Sequence, residues 1–114
     1  MFKFGTIVLV PFPFTDLTST KVRPALIVSK TSPDARDLIL AFITSRTHGL
    51  NADGKFLLET DHKYFKQTGL KVDSLIRFDK LATLSKKIIL GELGTLHKDV
   101  LKKAKPSFQD VFGF

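Results

Sequence analysis

Residues 74–84 read SLIRFDKLATL. Side chains on a strand point to opposite faces with a period of two. Ile76 and Phe78 therefore share one face, and Arg77 and Asp79 share the other. The apolar pair is expected to go inward, which aims a guanidinium and a carboxylate, two positions apart, the opposite way. Such a pair lies within roughly 7 Å. Two readings of it stay open: a same-strand ion pair on a wet face, worth about 0–1 kcal/mol, or a pair flanking one phosphodiester.

Short apolar segments recur on either side of this one with turn signals between them, the pattern of an all-β barrel or sandwich with minor helix. A first strand is expected over Thr6 to Phe12, and a polar loop, Thr15 to Lys21, leads to a second over Ala25 to Lys30. The turn TSPDARD (31–37) precedes a third at Leu38 to Thr44. The longer loop SRTHGLNADGK (45–55) precedes a fourth at Phe56 to Glu59. DHKYFKQTG (61–69) reads as one short helix, with Asp61 capping it and Gly69 ending it. The fifth strand covers Ser74 to Leu84 and a sixth Lys87 to Leu93.

Beyond Gly94 the period changes. Leu96, Val100, Leu101 and Ala104 fall at helical spacing, so a helix is expected to pack on the barrel and to stop at Pro106. Ser107-x-x-Asp110 then offers a capping box for a last turn ending in Phe112-Gly113-Phe114. Several strands, such as TIVLVPFPF (6–14) and LILAFI (38–43), are apolar on successive residues. A solvent-facing sheet would alternate, so these are expected to be covered on both faces. In so short a chain the second cover is expected to be another copy, giving a homodimer.

The 114 residues correspond to one domain, and 43% hydrophobic residues suffice for a core. The absence of cysteine excludes a disulfide framework and any Cys-based metal site or nucleophile. The opening MFKFGTIVLVPFPF lacks a cleavage site for a signal peptide, and its apolar run is too short to span a bilayer. A cytoplasmic protein is the expectation. Lys and Arg number 18 against 11 acids, a net charge of +7. So basic a domain is biased toward a polyanion or an acidic protein partner. No basic block runs past two or three residues, so a disordered basic tail is not expected.

Arg23 stands immediately before Pro24 and the apolar run Ala25-Leu26-Ile27-Val28. Proline is tolerated at a strand start and holds the residue before it extended, so this guanidinium is fixed rather than loose. AFITSR (41–46) ends a strand with two hydroxyls, Thr44 and Ser45, followed by Arg46. Strand-end hydroxyls cap turns and also bond phosphate oxygens. His48, His62 and His97 show no metal-ligand spacing and read as surface residues. No glycine-rich phosphate loop and no nucleophile elbow is present.

Taken in order, GTIVLVPFPFTDLTSTKVRPALIVS, AFITS, TGL, SLIRFDKLATL and LGELGTL make the chain resemble the PemK/MazF family, from Gly5 to about Leu101. The resemblance implies a small SH3-like β-barrel with a C-terminal helix, acting as a homodimer. It implies a toxin of a bacterial type II toxin–antitoxin pair, a metal-independent endoribonuclease that cuts single-stranded RNA and needs no cofactor. Double-stranded DNA would not be a substrate, because only RNA carries the 2′-OH. It also implies an acidic antitoxin that threads into the RNA groove.

Residue by residue, Arg23 matches the arginine of the family's R-P motif and Thr44 the threonine of its T-S motif. Arg77 and Asp79 match the R-x-D that some members use in catalysis. On this basis Arg23 and Arg77 are expected to stabilise the phosphorane and Asp79 to be base or orienter. Thr44 with Ser45 would bond the phosphate. Asp16, Lys21, Ser45, Arg46, Thr68 and Lys80 are expected to contact RNA. One departure stands out: the loop PFTDLTSTKV (13–22) lacks the histidine that some relatives carry there, leaving the base unassigned. Two alternatives therefore stay open, a CcdB-like toxin that binds DNA gyrase through an aromatic-Gly-apolar ending and a catalytically inactive RNA-binding relative.

Overall fold

Six strands meet these signals in the computed structural model, which describes residues 2–12 and 21–113. They are β1 (Thr6–Pro11), β2 (Val22–Ile27), β3 (Asp37–Thr44), β4 (Lys55–Leu58), β5 (Ser74–Ser85) and β6 (Gly91–Thr95); one helix, α1 (Lys98–Phe112), follows. The strands form a single antiparallel sheet in the order β4-β5-β3-β2-β1-β6. The sheet curls into half a barrel. The expected mainly-β fold with a C-terminal helix is thus met.

Successive residues of the inner strands enter two different cores. Ile7, Leu26, Ala41, Ile43, Ile76 and Phe78 join Val100 and Ala104 of α1 in the first. Their chain neighbours Val8, Ala25, Ile27, Leu40 and Phe42 join Leu38 and Leu84 in the second, which Phe2, Phe12, Ala82, Ile88 and Ile89 help to close. A fully buried aliphatic side chain contributes about 1.5–3 kcal/mol, and Ile7, Val8, Val10, Leu26, Ile27, Leu38, Leu40 and Ile76 are all fully buried. Most of the apolar run on each face is thus covered within one chain, with Ile39 of the run 38–43 the exception at 39% exposed. The burial pattern therefore does not by itself call for the second copy that was expected to supply the cover.

β5 carries the main irregularity. Asp37 to Ala41 pair with Ser85 to Leu81, but Phe42 pairs with Arg77, so Phe78, Asp79 and Lys80 have no partner on β3. Three inserted residues reverse the face parity of everything beyond them. Ile76 and Phe78 point into the first core, whereas Ala82 and Leu84 serve the second. Strict alternation through residues 74–84 holds only as far as Asp79.

Several expected boundaries move, each for a local reason. The expected helix over 61–69 shrinks to a 3-10 turn, Lys66–Thr68, with no side-chain N-cap; Gly69 does end it, at φ +74°. The Thr68 hydroxyl donates to the Phe65 carbonyl at 2.6 Å, and i→i+3 backbone bonds close the segment too tightly for an α-helix. The expected sixth strand starts later, because Ser85 Oγ accepts from Lys87 N and caps a 3-10 turn, Lys86–Ile88. Pro106 does not stop α1 but lies inside it, and Ser107 and Asp110 belong to the same continuous helix. A proline there removes one helical hydrogen bond, at a cost of about 3 kcal/mol. Packing beyond it offsets the loss: Phe108 sets its ring edge-on to Phe78 at 5.6 Å and lies 5.1 Å from Phe112. The ending Phe112-Gly113-Phe114 is only partly described, since Phe114 lies outside the described residues.

The 3-10 turn at Lys66–Thr68 packs directly on β6. A Cβ on Gly94 would collide with the Gln67 carbonyl oxygen and come within 2.8 Å of the Thr68 oxygen, whereas one on Gly91 would meet nothing within 4 Å. Gly94→Ala is therefore expected to lower stability by about 1–3 kcal/mol in urea unfolding, with Gly91→Ala close to wild type as the control.

Candidate active site

A groove of about 370 Å³ opens where β2 begins, β3 ends and residues 70–74 enter β5. Arg23, Thr44, Ser45, Arg46 and Lys71 line it, together with Pro24, Leu70 and Val72. The β2–β3 ladder ends where Ala25 pairs with Phe42. The family-matched arginine and threonine line the same groove, just past the end of that ladder. Arg23 is exposed, and no acceptor holds its guanidinium among the described residues. Pro24 fixes its backbone while Ala25, Leu26 and Ile27 behind it are fully buried.

Thr44 Oγ1 accepts from Arg46 N at 3.1 Å, which folds the strand end into a turn and leaves the hydroxyl hydrogen free to donate. Arg46 in turn donates from Nε to the His48 carbonyl at 3.3 Å. Three cations, Arg23, Arg46 and Lys71, line the groove, and no carboxylate or imidazole among the described residues does. The groove thus offers positive charge and hydroxyl donors of the kind that bond anionic oxygens.

Arg77 and Asp79 lie one strand further on. Thr44 pairs with Leu75 and Phe42 with Arg77, so Arg77 is diagonal to Thr44 on the same face, at about 7–8 Å between Cα atoms. Their side chains form a bidentate ion pair, Nε to Oδ1 at 3.1 Å and Nη2 to Oδ2 at 2.7 Å. Lys55 Nζ adds a third contact to Oδ2 at 3.2 Å. Hydrogen bonding from Arg77 holds the Asp79 carboxyl below its ordinary range against the opposing effect of burial, and Lys55 lowers it further. The same pair raises Arg77 above its already high value. The carboxylate thus stands with both oxygens on the Arg77 guanidinium and one also on Lys55.

The remaining expected contacts divide. Ser45, Arg46, Lys21 and Lys80 are exposed, Lys80 inside the β5 bulge and Lys21 where its carbonyl accepts from Phe12 N at 2.8 Å. Thr68 is a correction: it is 1% exposed and its hydroxyl is committed to the Phe65 carbonyl and Leu70 N, so it has nothing to offer RNA. Asp16 lies outside the described residues. Lys55 and Lys71 escaped the sequence reading. Lys71 directly follows the TGL motif, while Lys55 becomes visible only once β4 is placed against β5. His97 is no idle surface residue either, since its Nδ1 accepts from Asp99 N and caps α1. Its ring also stacks on Tyr64 at 3.5 Å.

A curled antiparallel sheet with a cation-lined groove at its strand ends defines a small β-domain suited to a polyanion. The model of the PemK-like, MazF-like toxins of type II toxin–antitoxin systems matches residues 3–112, and the chain belongs to that family. No curated protein matches it. Among solved structures it is similar to the Mycobacterium tuberculosis toxin MazF-mt6, at 19% identity and a TM-score of 0.75 over 96% of this chain and 97% of that one. An endoribonuclease in complex with its cognate antitoxin, from a mycobacterial species, matches at 16% identity and TM-score 0.75, covering 100% and 97%. MazF from Deinococcus radiodurans matches at 20% and 0.71, covering 98% and 96%. These likenesses bear out the fold. Among the described residues no helix is long and apolar enough to cross a membrane.

Because the folded carboxyl of Asp79 is depressed, its stabilising contribution is complete above the ordinary carboxylate range and is lost as pH falls through the lowered value. The melting-temperature gap between wild type and Asp79→Asn is expected to be widest near about pH 6 and to close toward about pH 2, as read by thermal melts across that range.

Proposed function

We propose that this chain is the toxin of a type II toxin–antitoxin pair and that it is a metal-independent endoribonuclease. It cuts single-stranded RNA, mRNA above all, at short sequences and so halts translation in the cytoplasm. The observation that carries this reading is the groove of Arg23, Thr44, Ser45, Arg46 and Lys71, cationic and free of lining carboxylates among the described residues, in a chain of this family.

The chemistry follows from the donors present. A ribose 2′-OH loses its proton and attacks the adjacent phosphorus, forming a 2′,3′-cyclic phosphate as the 5′ oxygen departs. Cationic and hydroxyl donors stabilise the charge that builds on the phosphoryl oxygens, and they act best when fixed in advance. Arg23, held by Pro24, and Arg77, held by Asp79, meet that condition. Thr44 donates its free hydroxyl hydrogen and Ser45 adds a second. A proton reaches the leaving oxygen to give a 5′-hydroxyl end, and a water molecule then attacks the cyclic phosphate, breaking its bond to the 2′ oxygen to give a 3′-phosphate and a 2′-hydroxyl. The partners proposed are single-stranded RNA, an acidic antitoxin that competes for the same cations, and a second copy of the chain.

A non-cleaving RNA-binding relative is the second reading. It is favoured by the absence of carboxylate and imidazole from the groove lining among the described residues and by the three contacts that hold Asp79 ionised.

Incubation with long mixed-sequence RNA in excess EDTA separates the two, beside DNA of identical sequence and an Arg23→Ala control. Discrete fragments with 5′-hydroxyl ends, intact DNA and loss in the variant are the expected outcome. Whole RNA under conditions where binding is demonstrated overturns the enzyme reading in favour of the second. In the binding assay, Arg23→Ala should reduce the slope of log affinity against log salt by about 0.7, the share of one phosphate contact on a single strand.

A further inference from the structure

Lys55 and Arg77 stand directly opposite each other on β4 and β5. Like charges in that register repel, and the Lys55 side chain is only 6% exposed, so its ammonium cannot turn away into solvent. One carboxylate reconciles the two. Asp79 Oδ2 takes Lys55 Nζ at 3.2 Å, while its two oxygens take Arg77 Nε and Nη2 at 3.1 and 2.7 Å. Nζ also reaches Asn51 Oδ1 at 3.2 Å and the Asp53 carbonyl at 3.1 Å. An ammonium has three donors and no acceptor, so all three of its bonds are made.

On the ribonuclease reading above, we propose that Lys55 is a positioning residue: it fixes the Asp79 carboxylate and, through it, holds the Arg77 guanidinium in one orientation toward the scissile phosphate. A guanidinium has five N–H donors in a rigid fork. Asp79 engages two of them, one on Nε and one on Nη2, and the other three stay available for phosphoryl oxygens. Without a second cation on Asp79, the carboxylate rotates about its own side chain and carries the fork with it. The cluster also keeps a charge surplus, two cations against one anion, which complements a single phosphodiester. Its anchorage is the β4 end: Gly54 O accepts from Phe78 N at 2.8 Å, tying the turn before Lys55 to the bulge that presents Asp79.

The test compares Lys55→Met with Lys55→Arg. In the methionine variant kcat is expected to fall about tenfold to a hundredfold, with KM moved far less, because a misplaced group costs rate more than binding. The acid limb of the pH–rate profile should also move to higher pH, since Asp79 loses one of the cations that hold it ionised; a role confined to stability would leave that limb in place. Lys55→Arg should restore much of both. A readout independent of cleavage is taken on the protein alone: the carbon-13 titration of the Asp79 carboxyl and the water exchange of Arg77 Nε–H. A higher midpoint and faster exchange in Lys55→Met support the clamp. An unchanged midpoint and unchanged exchange in a folded variant overturn it. Should Lys55→Met fail to fold, Asn51→Ala, at an exposed position, is read by the same two signals with the same criteria and a smaller shift. If the wild type leaves RNA whole while the signals shift, the ribonuclease reading falls and the clamp stands.

Discussion

The register break on β5 is the constraint on which the rest of this molecule depends. β3 pairs with β5 in two registers, and Phe78, Asp79 and Lys80 fill the gap between them. A bulge bends its strand and tightens the local twist; β5 pairs with β3 on both sides of the break, and its first four residues also pair with β4. The inserted residues reverse which side chains face which core. Phe78 remains with the helix-side core and receives the edge of Phe108, while Leu84 closes the other core. Asp79 and Lys80 are lifted out where charge is tolerated.

Two kinds of positive charge follow from this arrangement. Arg23, Arg46 and Lys71 surround an open groove without a lining carboxylate among the described residues, so their field is directed at whatever enters. Lys55 and Arg77 share Asp79, which cancels one of their two charges. The first set raises the local concentration of a polyanion. The second gives up one charge of its two for fixed geometry, and the two sets meet across the diagonal from Thr44 to Arg77. A chain with net charge +7 therefore does not spread that charge evenly over its working face.

Much of this was legible in the sequence. The alternation of Ile76 and Phe78 with Arg77 and Asp79 placed all four correctly, and Arg23 and Thr44 line one groove just beyond the β2–β3 ladder. Apolar runs on successive residues announced burial on both faces, but a sheet that curls over itself supplies that burial as well as a second chain does. Lys55 stayed hidden because its role depends on register across a hairpin, which no local pattern encodes. Pro106 misled for a similar reason. Its cost to the backbone is local and visible, whereas the contacts of Phe108 that offset it are with Phe78, thirty positions away. Thr68 misled in the opposite sense, through a motif whose threonine is committed to closing a turn.

The turn at Gly54 has a consequence for how this chain tolerates change. Gly54 sits at φ +68°, and a Cβ there would lie 2.7 Å from Val111 Cγ2 and 3.4 Å from Asp79 Cβ. The last turn of α1 therefore seats directly on the bend that carries Lys55 and adjoins Asp79. Positions 54 and 111 form one unit of variation, although more than fifty residues separate them. Residues in contact couple when they are altered, and any side chain at 54 would meet both Val111 and a backbone conformation that favours glycine. The glycine is thereby the fixed member of the pair: the helix end leaves no room for a Cβ beside the charged cluster, while Val111 itself is 38% exposed.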